Sequence, residues 1–359
     1  MIQKIRLTKV ANNMKTGLIL GKFMPLHKGH EYLINYGLNN CDILHVVICS
    51  ISKEPIDGDL RHSWIEKAFI DEICEGKLIL HHLEEDWMPQ EPSDCVSEDA
   101  FFGCWAGVME GLCKTKFDYM FASEMYVHRV SQELGCEPVL VDLARDTVPI
   151  SGTMIRENPI ENWKFMSKHV ASYFAKKVLI IGGESTGKST MTRMLDQHYT
   201  ERGYLAFGVQ EYARYFIDMV HDGNMDYLTF DDITHFGQAQ MSEVNSNVRV
   251  GFQVVFSDTD AIVSKVFQQT YYGKTSPELD EVIDKEEWDL VLFLENDVPW
   301  VDDGQRNLGE KKQRDEFQHK LYVEVYNKKK MRNVVFINGN WDQRFEKAKK
   351  AVDKMLGLM

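Results

Sequence analysis

The segment "VLIIGGESTGKST", residues 178 to 190, confines the fold more tightly than any other part of the chain. An apolar run stops at a glycine-rich turn, and Gly182, four intervening residues, Gly187, Lys188 and Ser189 fit G-x-x-x-x-G-K-[ST]. Such a turn works between a buried strand and the N-terminus of a helix. Its glycines let backbone N–H groups converge on phosphate oxygens, Lys188 places a charge at the β and γ oxygens, and the Ser189 hydroxyl is positioned to ligate Mg²⁺. Gly182, Gly183, Glu184, Ser185, Thr186, Gly187, Ser189 and Thr190 are therefore expected to cradle ATP, with Lys188 catalytic.

Around this turn, short β-branched apolar runs alternate with helical patterns, the signature of parallel sheets with crossover helices. In the first half strands are expected near residues 16–21, 43–50, 77–83, 117–122 and 138–142, and in the second near 177–182, 204–209, 252–257, 289–294 and 333–337. The alternation restarts at "KKVLIIGG" after a charged, aromatic stretch in which Pro159 interrupts any helix begun at Ser151. Two α/β domains follow, residues 1–170 and 171–359, the first Rossmann-like and the second a P-loop unit. With 359 residues and 44% hydrophobic content there is enough apolar material for two cores. The charge of -14, from 41 basic and 55 acidic residues, argues against a general nucleic-acid or membrane-surface binder. Anions must be held locally, by a few placed cations and amides. Seven scattered cysteines without CxxC spacing read as thiols of a reducing cytoplasm, and no apolar run approaches a membrane span. A homo-oligomer stays open.

A P-loop alone does not separate kinases from other NTPases. In "QVVFSDTDAI" a strand delivers Asp258 and Asp260 to its carboxyl end, where an acid meets Mg²⁺; a helix cap is the competing reading for Asp260. A second strand ends at Glu211, with Arg214 one turn on as a substrate contact. Glu211 suits the base that takes a substrate hydroxyl proton, or equally an N-terminal helix charge. The polar run "WVDDGQRNLGEKKQRDEF" places Arg306 and Arg314 to close over a transferring phosphoryl, or forms a surface loop.

The first half carries "GLILGKFMPLHKGH", residues 17 to 30. His27 and His30 fall at i and i+3 on the first turn of a helix and face one way. With that helix N-terminus and Lys22, the pair can hold a triphosphate and stabilise a leaving pyrophosphate; a metal site is the alternative. Farther on, in "ISGTMIR", Ser151 and Thr153 can cap a helix whose amides bind phosphate, and Arg156 adds a cation.

The motif G-x-F-x-P-x-H-x-G-H with a distant I-S-x-T-x-x-R resembles the nucleotidylyltransferase superfamily, whose members move an AMP or CMP unit onto a phosphate. Fused to "GGESTGKS", "EYAR", "DTD" and "WVDDGxRxLG", it closely resembles bifunctional nicotinamide mononucleotide (NMN) adenylyltransferase/ribosylnicotinamide kinases of the NadR type, from about Met14 onward. The resemblance implies ATP, NMN and nicotinamide riboside as substrates, Mg²⁺ as cofactor and NAD as product. It implies that Gly21, Lys22 and Phe23 line the nucleotide and that His27, His30, Ser151, Thr153 and Arg156 hold the ATP phosphates. It further implies that Asp86 and Trp87 lie by the nicotinamide, and that Arg61 and Trp64 approach the mononucleotide. Fewer than 20 residues precede the first strand, where longer relatives carry a helix-turn-helix repressor module, so no DNA-binding role is expected. Other readings are a regulatory sensor of NAD and ATP, or another adenylyltransferase fused to a small-molecule kinase.

Overall fold

The apolar runs at the centre of each sheet form strands buried on both faces, as parallel sheets covered by helices require, and the edge strands are only partly covered. In the computed structural model, which describes residues 14–301, 308–327 and 333–359, the chain divides into two units, residues 1–170 and 171–359. Each is built on a five-stranded parallel sheet.

In the first unit the strands are β1 (Thr16–Gly21), β2 (Ile43–Ser50), β3 (Leu78–Glu84), β4 (Tyr119–Ala122) and β5 (Glu137–Leu140), ordered β3-β2-β1-β4-β5. The chain builds outward from β1 in one direction, then returns to build in the other. The crevice between the carboxyl ends of β1 and β4 is the switch point where such sheets bind ligands. Leu18 and Ile19 of β1 are fully buried, so the central strand is fixed from both faces up to the turn that follows it.

The second unit contains β6 (Lys176–Gly182), β7 (Ala206–Val209), β8 (Val254–Asp258), β9 (Leu290–Leu294) and β10 (Val334–Ile337), ordered β10-β9-β6-β8-β7. Strand β6 is central, and Ile180 pairs with Asp258 of β8, which brings that carboxylate beside the glycine-rich turn. The segment "SPELDEVIDK" forms the helix Pro277–Lys285. Pro277 occupies the first turn, where a missing N–H costs nothing, and Leu279 and Ile283 bury one face.

The turn after β6 is shaped from far along the chain. Gly187 has φ +90°, and a Cβ there would come within 2.2 Å of the Trp341 ring, so glycine is required by both conformation and space. Three residues beyond that ring, the fully buried Arg344 donates to the carbonyls of Thr186 (2.9 Å), Glu295 (2.7 Å) and Gly339 (2.9 Å) and pairs with Asp297. The hydrogen bonds matter because an unsatisfied buried carbonyl costs about 1–3 kcal/mol. Arg344→Met should therefore destabilise the second unit by about 2–4 kcal/mol in urea unfolding. It should also speed amide exchange at residues 183–188; unchanged exchange there would show that the arginine does not shape the turn.

Candidate functional site

Two cavities open at the carboxyl ends of the two sheets, one of about 600 Å³ in the first unit and one of about 470 Å³ in the second.

The first cavity begins where β1 ends. Phe23 takes φ +46° and turns the chain into the helix Lys28–Asn40. His27 caps that helix: its Nδ1 accepts from the backbone N–H groups of Gly29 (3.1 Å) and His30 (3.3 Å), which leaves the proton on Nε2. The rings of His27 and His30 stack 3.7 Å apart. Burial, helped by Arg145, lowers the His27 pKa to about 4, and burial with the neighbouring His27 holds His30 well below its usual range. Both rings are neutral at pH 7 and await negative charge. Opposite them, the Ser151 hydroxyl caps the helix Gly152–Glu157, and Arg156 binds the Met24 carbonyl and Thr153 Oγ1 (3.1 Å). Gly152 lets the two loops meet, since a Cβ would lie 2.5 Å from the Met24 carbonyl oxygen. Gly21, Lys22, Phe23, His27, His30, Ser151, Thr153 and Arg156 all line this cavity.

Four residues that the resemblance implied for the substrate do not line this cavity. Arg61 is fully buried; it pairs with Glu54 (2.7 Å) and donates to the Lys22 carbonyl (2.9 Å), so it braces the turn from beneath. Trp64 is 2% exposed and packed inside the same helix layer. Asp86 accepts from Ser52 N (2.8 Å) and Oγ (2.7 Å), which lowers its pKa, and Trp87 is 62% exposed. None of the four lines the cavity, whereas their neighbours Glu85, Met88 and Gln90 do. Lys22 is itself held by Glu54 at 2.8 Å. Burial pushes the Glu54 pKa up, but hydrogen bonds from Lys22 and Arg61 outweigh it and the net shift is down. Arg145, which lines the cavity with φ +55°, was missed because a single arginine in an irregular loop makes no pattern.

In the second cavity Lys188 Nζ donates to the Gly183 carbonyl (3.0 Å), and Gly183 N donates to Gln318 (2.7 Å). Gly182, Glu184, Ser185, Gly187, Lys188, Ser189 and Thr190 line it, while Gly183 and Thr186 build its floor through the Thr186 hydroxyl bond to Gly183 O (2.9 Å). Glu211 pairs with Arg214 (3.0 Å) across from Asp258. Asp258 is fully buried, and burial with nearby Glu211 pushes its pKa up to about 6 against the pull of Lys188, Ser189 and Arg214. Neither of its carboxylate oxygens has a hydrogen-bond partner among the described residues. A buried bare carboxylate beside the Ser189 hydroxyl suits a hard divalent cation with oxygen ligands. Asp260, by contrast, does not line the cavity: it caps the helix Ala261–Tyr271 by accepting from Ile262 N (2.9 Å). Arg314 also stands off the cavity wall, and Arg306 lies outside the described residues. Gln240 escaped the sequence reading; it accepts from Tyr212 N (2.8 Å) and donates to the Asp258 carbonyl (3.1 Å), locking the Glu211 and Asp258 segments together. So did the aromatic wall of Tyr215, Phe236, Phe267 and Tyr271, whose members come from three separate helices.

With this geometry in view, comparison with known proteins is decisive. Residues 177–344 match the family model of an AAA domain. The chain is 30% identical, over 95% of its length and 83% of the relative's, to the trifunctional NAD biosynthesis/regulator protein NadR of Escherichia coli strain K12. The chain belongs to the NadR family. Crystal structures of NadR protein, one in complex with NR and one with NAD and AMP-PNP, share the fold of this NadR-family chain with TM-scores of 0.75 and 0.73. Both cover 97% of the chain, at 23% and 24% identity, and the chain covers 98% and 97% of theirs.

The depressed histidines make a pH prediction. Because folding lowers their pKa, the unfolded state binds more protons between pH 6.5 and about 4, so stability is full above 6.5 and falls as pH drops through that window. At pH 5 His27 alone accounts for about 2 kcal/mol. Replacing both by Asn, which at position 27 keeps a capping side chain, should shrink the loss of melting temperature between pH 7.5 and pH 5. An unchanged loss would remove the two rings from the titration.

Proposed function

We propose that the two cavities are the two active sites of an NAD-forming enzyme, working in series. The chain is an NAD biosynthesis enzyme with nicotinamide-nucleotide adenylyltransferase and ribosylnicotinamide kinase activities. The observation that carries the assignment of sites is the presence of two separate phosphate cradles, each at the carboxyl end of its own sheet.

In the second cavity, ATP is held by the turn from Gly182 to Thr190, and the aromatic wall offers flat faces to the nicotinamide ring. Ser189 and Asp258 would hold Mg²⁺, which when bound neutralises charge on the β and γ phosphates. Arg214 holds Glu211 facing Asp258, where Glu211 can accept the proton of the riboside 5′-hydroxyl. As that oxygen bonds to the γ phosphorus, the bond to the β–γ bridging oxygen breaks and ADP leaves, with Lys188 following the migrating charge.

In the first cavity a phosphate oxygen of NMN attacks the α phosphorus of ATP. The bond between the α phosphorus and the α–β bridging oxygen breaks, and pyrophosphate leaves toward His27, His30, Arg156 and the helix amides at Ser151. No covalent enzyme intermediate is needed, because alignment and charge neutralisation suffice. Arg145, which lines the same cavity, adds a second cation beside Arg156. No helix among the described residues is long and apolar enough to cross a membrane, and the small soluble substrates favour a cytoplasmic setting.

The test is separation of the two steps. Lys188→Ala should stop NAD formation from nicotinamide riboside and leave formation from NMN nearly intact. His30→Ala should slow the NMN reaction by roughly 10²-fold or more, the scale for losing one preorganised donor, and let NMN accumulate from the riboside. If folded Lys188→Ala lost both activities together, a single shared site would replace this reading.

A further inference from the structure

At the end of the first unit's sheet away from the phosphates, two histidines and a cysteine converge where the NAD chemistry has no use for them. His45 stands on β2 between the fully buried Leu44 and Val46 and is itself only 5% exposed. It shares a sheet face with Val47, which pairs with His81 of β3. Nδ1 of His45 lies 2.9 Å from Nε2 of His81, and the rings are stacked with centroids 5.2 Å apart. The helix Glu98–Cys113 covers this face through Met109, and its last residue, Cys113, completes the group: the three donor atoms lie within 4.8 Å of one another. His45 precedes Ser50 of the phosphate cavity by five strand residues, roughly 16 Å at the rise of a strand.

We propose that His45, His81 and Cys113 form a binding site for one divalent transition-metal ion of zinc-like chemistry, with water in the fourth position. Two neutral imidazoles sharing a hydrogen bond would account for the histidine pair alone. They would not account for a thiol delivered to the same spot by another element. The donor set is borderline-soft, the set that selects zinc over magnesium or calcium. The carbonyl end of a 16-residue helix adds negative potential at the cysteine. Half-exposed His81 and Cys113 leave a route for the ion and its water, whereas His45 anchors the site in the core. Tetrahedral nitrogen ligands stand about 3.3 Å apart, so the imidazole pair must open by a few tenths of an ångström while the thiol turns about its Cα–Cβ bond. Burial already keeps the rings neutral, with His45 lowered to about 4, and pushes the Cys113 thiol up to about 11. Binding therefore exchanges the thiol proton, released to solvent, for the metal–sulfur bond. Such an ion would clamp β2 and β3 to the end of the helix that roofs them.

The full-length chain, stripped with chelator, should be titrated with Co²⁺ alone. The expected result is one equivalent bound with a thiolate-to-cobalt charge-transfer band in the near ultraviolet, displaced by Zn²⁺, and a higher melting temperature with Zn²⁺ than without. Cys113→Ser should abolish the band, and His81→Gln should weaken Co²⁺ binding at least ~10-fold. Because His81 is partly exposed, that variant carries the test if the cysteine variant fails to fold. Absence of the band in the unsubstituted chain, its survival in Cys113→Ser, or unchanged affinity in His81→Gln would overturn the proposal.

Discussion

Both phosphate sites depend on one backbone event: a central parallel strand ends where its neighbours diverge and passes the chain straight into a helix. The first amides of that helix have no carbonyl partners within it, and the crevice beside the strand is the natural place for an anion. In β1 the event is carried by Phe23 and the His27 cap, in β6 by Gly182 and Gly187. The rest of each unit can be understood as holding that event still. Arg61 and Glu54 brace the first turn from below, and Arg344, Gln318 and Trp341 hold the second.

The charges at the two sites are balanced differently. In the first, neutral histidines and Arg156 line a cavity that holds, among the described residues, no acidic partner for Arg156, while Lys22 is paired with Glu54. In the second, Asp258 is buried with Glu211 nearby, a repulsion that raises its pKa and that a cation at its bare oxygens would relieve. Each site is thus electrostatically incomplete by itself, in opposite senses, which is how groups that must respond to a ligand differ from those that merely stabilise a fold.

Much of this could be read from the chain beforehand, because it depends on residues close together in sequence. The stacked His27 and His30, the Ser151 cap and the P-loop each fall within one turn of helix or one loop, and spacing alone places them. What escaped lies across elements. Arg61, implied by resemblance to approach the mononucleotide, makes an ion pair with Glu54 and a bond to the Lys22 carbonyl that no local pattern announces. Trp87, implied by resemblance to lie by the ring, is exposed beside the cavity residues Glu85, Met88 and Gln90. Asp260 and Asp258 are two residues apart, and only the end of β8 decides that one caps a helix while the other lines the cavity. The aromatic wall of the second cavity has no local signature at all.

The dependence of the P-loop on Trp341 and Arg344 has a consequence for the order in which the molecule comes into being. Every strand of the first sheet precedes residue 141, so that sheet can close while the ribosome is still translating the second unit. The nucleotide turn at residues 182–190 cannot take its final shape until the chain has emerged some 150 residues later, when the ring of Trp341 settles over Gly187 and Arg344 reaches the Thr186 carbonyl. Synthesis from the N-terminus therefore completes the first sheet long before the glycine-rich turn of the second unit can be braced.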